Sequence, residues 1–83
     1  MSKRVRLYAL STCGWCKRAK RFFEENKVAA EVTDVDMLEG DEKESARAEV
    51  AKYNPRRSYP TVIVDEEVVV GFDEERLKEL LGL

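Results

Sequence analysis

The two thiols of this sequence can do redox or soft-metal chemistry, and both, Cys13 and Cys16, lie in the stretch Ser11-Thr12-Cys13-Gly14-Trp15-Cys16-Lys17-Arg18. Thiols at this spacing serve as half of a metal site, as a structural staple, or as a couple that opens and closes as its work. A zinc site of the usual kind needs four cysteine or histidine ligands, and the chain has no histidine and no third cysteine, so one protomer does not supply it. An iron–sulfur cluster bridging two copies, completed by a small thiol, stays open as an alternative. A staple between such close neighbours closes a very short loop and ties together no distant parts of a fold. The redox couple is the reading that the rest of the sequence favours.

Other catalytic constellations are missing. Without histidine there is no Cys-His dyad, and no glycine-rich phosphate loop is present. Asp34 and Asp36 form a short acidic pair, which reads as solvated carboxylates at a strand end and not as an acid–base pair or a cation site.

The elements that position the thiols follow from periodicity. Val5 to Leu10 reads as a first strand, and Cys16, Ala19, Phe22 and Phe23 then recur at helical spacing up to about Asn26. Ala29 to Asp36 reads as a second strand. Asp41 with Glu44 resembles a capping box, after which Ala46, Val50 and Tyr53 mark a second helix stopped by Asn54-Pro55. Thr61–Val64 and Val68–Val70 read as a hairpin around Asp65-Glu66-Glu67, a turn without the usual glycine. Asp73 caps a last helix with an acidic first turn, with Phe72 and Leu77 as a hydrophobic staple, Leu77, Leu80 and Leu81 inward, and Gly82 as its end.

The order βαβαββα predicts an α/β fold with a four-stranded mixed sheet flanked by three helices on both faces. Its first two strands should run parallel through a right-handed crossover. The cysteines then fall just past the carboxyl end of the first strand, where open α/β sheets place their chemistry. A helix N-terminus presents unpaired N–H groups and the positive end of its dipole, so Cys13, at or next to the N-cap, should be shifted below the ~8.5 of a free thiol. Lys17 and Arg18 are expected to add positive charge. Cys16, one turn in, should be more buried and less acidic. The asymmetry assigns roles: Cys13 attacks a disulfide, and Cys16 displaces the product from the mixed disulfide. Gly14 would allow a partner's backbone to approach, and Trp15 would form part of the rim.

Length and composition bound the rest. The chain has 83 residues, 43% hydrophobic and 39% charged, with a formal charge of −2, which suits a single soluble domain over residues 1–83. That balance makes no case for nucleic acid or an anionic membrane as partner, although every charged residue before Glu24 is basic. No run approaches the ~18 apolar residues of a membrane span, and Val5 to Leu10 is too short for a signal-peptide core. A cytoplasmic protein is expected, and a reducing cytosol speaks against a permanent disulfide.

Cys13-Gly14-Trp15-Cys16 after a first strand, Ser58-Tyr59-Pro60 before a third, and Gly71-Phe72-Asp73 opening the last helix resemble the glutaredoxin family of the thioredoxin fold, over essentially the whole chain. The resemblance implies a dithiol oxidoreductase of redox homeostasis, with no tightly bound cofactor and no metal, acting as a monomer on protein or small-molecule disulfides. It also implies a cis bond before Pro60 and a thiol peptide held near Thr12, Trp15 and Gly71. In such a fold the Tyr59 backbone would pair with the peptide's cysteine, Arg57 would approach a glycine carboxylate, and Asp73 and Glu74 would lie near a γ-glutamyl group. Glutathione is thus implied as a possible thiol co-substrate.

Three positions depart from the family's usual pattern. Leu10 stands where a lysine is common, Gly71-Phe72 where Gly-Gly is common, and Gly14-Trp15 where Pro-Tyr is common. The single glycine followed by phenylalanine resembles small redoxins reduced by a thioredoxin reductase. A missing cation and a bulkier rim imply weak glutathione binding, so a protein disulfide reductase is the expected electron donor.

Overall fold

In the computed structural model, which describes residues 3–83, the alternation of Val5, Leu7 and Ala9 with Arg6 and Tyr8 forms strand β1 (Val5–Ala9), buried at its odd positions. Helix α1 (Gly14–Glu25) follows and buries Cys16, Ala19, Phe22 and Phe23, the stripe its spacing predicts. Its last turn closes on Asn26, whose N–H donates to the Phe22 carbonyl at 3.1 Å. Lys27 then takes a left-handed φ of 54° that turns the chain toward β2 (Ala30–Asp34). After a 3-10 turn (Val35–Met37) come α2 (Gly40–Tyr53), β3 (Thr61–Val64), β4 (Glu67–Val70) and α3 (Glu74–Leu81).

The sheet order is β2-β1-β3-β4. β1 and β2 are parallel, with Ala9 opposite Asp34, and the other two pairings are antiparallel. On one face Val5, Leu7, Ala9, Val62, Val64 and Val69 pack with the α1 stripe and with Leu77 of α3. Fully burying an aliphatic side chain contributes about 1.5–3 kcal/mol each, and this cluster is where α1 gains its attachment. The opposite face carries Arg6, which reaches α2 through Glu49 at 3.7 Å and the Tyr53 hydroxyl at 3.4 Å. Helices therefore cover both faces. Among the described residues no helix is long and apolar enough to cross a membrane.

Three local expectations are corrected. The second strand ends at Asp34, because Asp36 turns toward the loop before α1 and accepts hydrogen bonds from the Ser11 N–H, at 2.8 Å, and the Ser11 hydroxyl. The Asp41/Glu44 capping box does not form. The N-cap is Glu39, with no side-chain bond, and Asp41 and Glu42 lie inside the first turn, where carboxylates face the positive end of the helix dipole. The hairpin turn is the two residues Asp65-Glu66, since β4 begins at Glu67. Asp65 supplies the left-handed φ of 54° that glycine would usually supply, and its carboxylate accepts the Arg4 N–H at 3.0 Å.

Candidate active site

The chain leaves β1, makes a tight turn in which the Cys13 N–H donates to the Leu10 carbonyl at 3.1 Å, and enters α1 with Cys13 as its N-cap. The Cys13 sulfur accepts the Cys16 N–H at 3.3 Å, in the place a serine or aspartate oxygen takes in an ordinary cap. Cys16 is fully buried, and its sulfur accepts the Leu10 N–H at 3.5 Å. Thr12 is exposed beside the pair, and Cys13 is half-buried.

These surroundings separate the two thiols. Burial works against the Cys13 thiolate, but the Cys16 thiol, the N–H groups of Cys16 and Trp15, and the charge of Lys20 outweigh it, so Cys13 lies below the usual thiol value. Burial first, and the adjacent Cys13 sulfur second, push Cys16 up to about 12. The cation acting on both sulfurs is therefore Lys20, where Lys17 and Arg18 were expected. Lys20 lies one helical turn beyond Cys16 on the same face and is held by Asp34 at 2.7 Å. Lys17 is exposed to solvent. Arg18 lies over the Trp15 ring, 4.8 Å from its centre.

Trp15, Tyr59, Pro60, Gly71 and Phe72 line one groove of about 200 Å³. The Tyr59–Pro60 bond is cis, as the resemblance implies. Gly71, at φ 79°, donates its N–H to the Pro60 carbonyl at 2.8 Å and so ties the turn after β4 to this segment. Phe72 meets Phe22 edge-on at 5.8 Å, which anchors the rim to the core. Tyr59 stands before β3 and outside its ladder. The segment carrying it is held from below by the buried side chain of Asn54, which bonds to Ser58 and Thr61.

The remaining sequence-predicted residues are spread around this groove. Arg57 borders a second groove of about 260 Å³, with Glu44, Arg47, Ala48 and Ala51 of α2. Glu74 borders a third of about 370 Å³, with Arg18, Arg21, Phe22, Glu25 and Phe72. Phe72 thus divides the first groove from the third. Asp73 caps α3, its carboxylate accepting the Arg76 N–H at 3.1 Å. Arg47 is the residue sequence reasoning missed. Its charge bears on Tyr59, and among the described residues neither Arg47 nor Arg57 forms an ion pair. The signal was its place on the Glu44, Ala48, Ala51 face of α2, with helical spacing.

The glutaredoxin family model matches residues 5–69, from the first residue of β1 into β4. The chain belongs to the glutaredoxin family. It is 42% identical to the methanoredoxin of Methanosarcina acetivorans, with a TM-score of 0.93 over 96% of this chain and 85% of that one. It is 44% identical to the glutaredoxin of Methanosarcina mazei Go1, with a TM-score of 0.90 over 96% of this chain and 79% of that one. Over 77 residues it is 26% identical to an uncharacterized glutaredoxin-like 8.6 kDa protein in the rubredoxin operon of Clostridium pasteurianum, covering 93% of this chain and 96% of the relative. Its three helices and mixed sheet are the thioredoxin-like architecture of these glutaredoxin neighbours, and membership supports a thiol redox function.

Proposed function

We propose that the protein is a dithiol thiol–disulfide oxidoreductase in which Cys13 is the attacking sulfur and Cys16 the resolving one. The observation that carries this is the inequality of the two sulfurs: Cys13 is the half-buried N-cap that accepts an N–H at 3.3 Å, and Cys16 is closed off behind it. The Cys13 thiolate attacks one sulfur of a substrate disulfide, and the other sulfur leaves as a thiolate and is protonated. Cys16 then loses its proton and attacks the Cys13 sulfur. The mixed disulfide breaks, the second substrate thiol departs, and the Cys13–Cys16 disulfide remains with the two electrons delivered.

The groove of Trp15, Tyr59, Pro60, Gly71 and Phe72 would hold the extended backbone of a thiol peptide, with the Tyr59 backbone as the pairing edge. Arg57, with Arg47 beside it, is assigned to a carboxylate of that peptide, and Asp73 with Glu74 to its amino end. Leu10 supplies no charge, so glutathione would bind weakly, and a protein reductase is the better electron donor. The cycle is assigned to the cytoplasm, with the protein acting as a monomer on disulfide-containing proteins in redox homeostasis.

The test is reduction of a small disulfide and of a disulfide-bonded protein by the parent and two variants. Cys13→Ser should abolish both activities. Cys16→Ser should still attack but accumulate the mixed disulfide, visible as a mass increase. Substantial turnover by Cys13→Ser, with none by Cys16→Ser, would reverse the roles.

A further inference from the structure

The resolving step poses a problem that the attacking step does not. Cys16 must shed its proton inside a site where burial holds it near 12, and the chain has no histidine to take it. What the buried sulfur does have is a backbone N–H on it, from Leu10, and a cation one helical turn further along α1, Lys20. The Leu10 N–H already donates to its sulfur at 3.5 Å, before any charge has formed there. Lys20 follows Cys16 by one turn, about 6 Å along the axis, and so stands on the same face of α1. Cys13 lies nearly two turns from Lys20, roughly 10 Å along the axis.

Lys20 is not free to swing into solvent. Its ammonium is bonded to Asp34 at 2.7 Å, with both side chains more than two-thirds covered. Asp34 is the last residue of β2 and pairs in register with Ala9, the residue before Leu10. The ion pair therefore joins α1 to the strand end from which the Leu10 N–H projects. Asp34 thus fixes where the Lys20 charge stands.

We propose that the Leu10 N–H and the Lys20 ammonium, held by Asp34, form a cradle for the transient Cys16 thiolate, which makes Lys20 and Asp34 positioning residues for the resolving half of the cycle. This rests on the dithiol reading above. In the step concerned, the Cys16 proton passes to water, the thiolate left behind is stabilised by the cradle, and it attacks the Cys13 sulfur of the mixed disulfide. The Cys13–Cys16 bond forms as the bond to the substrate breaks, and the substrate sulfur carries the electron pair away. The other titratable groups bearing on Cys16 are Cys13, neutral within the mixed disulfide, and Tyr59 from the segment before β3.

An aromatic disulfide whose thiolate is coloured separates the two steps. Mixed with reduced protein under stopped flow, it releases one thiolate when Cys13 attacks and a second when Cys16 resolves. In Lys20→Gln the second phase should slow by roughly tenfold at neutral pH, as expected for removing one partly screened charge at this range. Its pH midpoint should rise, and the first phase, on which the same charge acts from farther along the helix, should slow by less than the second. Lys20→Arg should restore the second phase, and Asp34→Asn should slow it in the same direction. A role in packing alone would lower the melting temperature of Lys20→Gln without moving that pH midpoint. An unchanged second phase in Lys20→Gln, equal slowing of both phases, or failure of arginine to rescue would each overturn the cradle while leaving the dithiol cycle in place. A parent protein with a single phase, indistinguishable from Cys16→Ser, would overturn the dithiol reading and the cradle with it.

Discussion

Replacing Asn54 by alanine removes the support beneath the Tyr59 segment. Asn54 is 2% exposed. Its side-chain nitrogen lies 3.1 Å from the Ser58 carbonyl, 3.1 Å from the Ser58 hydroxyl and 3.0 Å from the Thr61 hydroxyl, and its oxygen accepts the Arg56 N–H at 3.2 Å. An amide nitrogen carries two hydrogens, so three acceptors share two donors, and with the oxygen the side chain makes about three bonds. At about 1 kcal/mol net per bond, the loss is roughly 3 kcal/mol. The Thr61 hydroxyl keeps its own bond to the Ser58 carbonyl at 2.7 Å, so the net cost should fall to about 2–3 kcal/mol, a large share of a small domain's stability. For a chain of this size, with a urea dependence of about 1 kcal/mol per molar, the unfolding midpoint should drop by about 2–3 M. Asn54→Asp keeps the volume but turns donors into acceptors facing the Ser58 carbonyl, and should cost at least as much. Because Cys13 is positioned by α1 and not by this segment, its alkylation rate should be retained while affinity for a disulfide peptide falls. A midpoint moving by less than about 0.5 M, or an affinity unchanged in a destabilised variant, would show that Asn54 does not hold the groove.

Only the thiolate is alkylated, and the folded site holds Cys13 below the free-thiol value. Native protein should therefore react with iodoacetamide faster than denatured protein at pH ~6–7, with a midpoint on the acid side of ~8.5; a midpoint at or above that value would contradict the N-cap account. Cys16, held near 12, should stay unlabelled over the same range, so mass spectrometry should count one adduct per chain. Leu10→Lys should raise glutathione-dependent turnover severalfold, as one added charge-assisted hydrogen bond of about 1.5–3 kcal/mol allows. Parent turnover that is already high, and unchanged by the lysine, would show that the missing cation never limited the reaction. Gly71→Ala should cost about 1–2 kcal/mol, since a Cβ there meets no atom within 4 Å and the left-handed φ of 79° alone opposes it; thermal unfolding checks this, and a neutral result would mean that the turn relaxes.

What the sequence determined by itself is what depends on neighbours along the chain. The stripe of Cys16, Ala19, Phe22 and Phe23, the cap at Asp73 and the stop at Gly82 all act within one or two helical turns, and each stands where periodicity and capping put it. The inequality of the two cysteines was legible for the same reason: a sulfur at a helix N-cap and another one turn in differ in burial and in access to backbone N–H groups wherever that helix lies. Tertiary structure decided the pairings across elements. Seven residues before Glu24 are basic, and only the crossing of α1 over the end of β2 selects Lys20, through Asp34, as the cation beside the thiols. Arg47 joins Arg57, and Phe72 leans on Phe22, because α2 and the turn after β4 return to the same end of the sheet. Asn54 reads locally as a helix stop. Its burial beneath Ser58 and Thr61 comes from the path of the chain into β3, and where water is excluded an amide with several partners becomes a support for the groove.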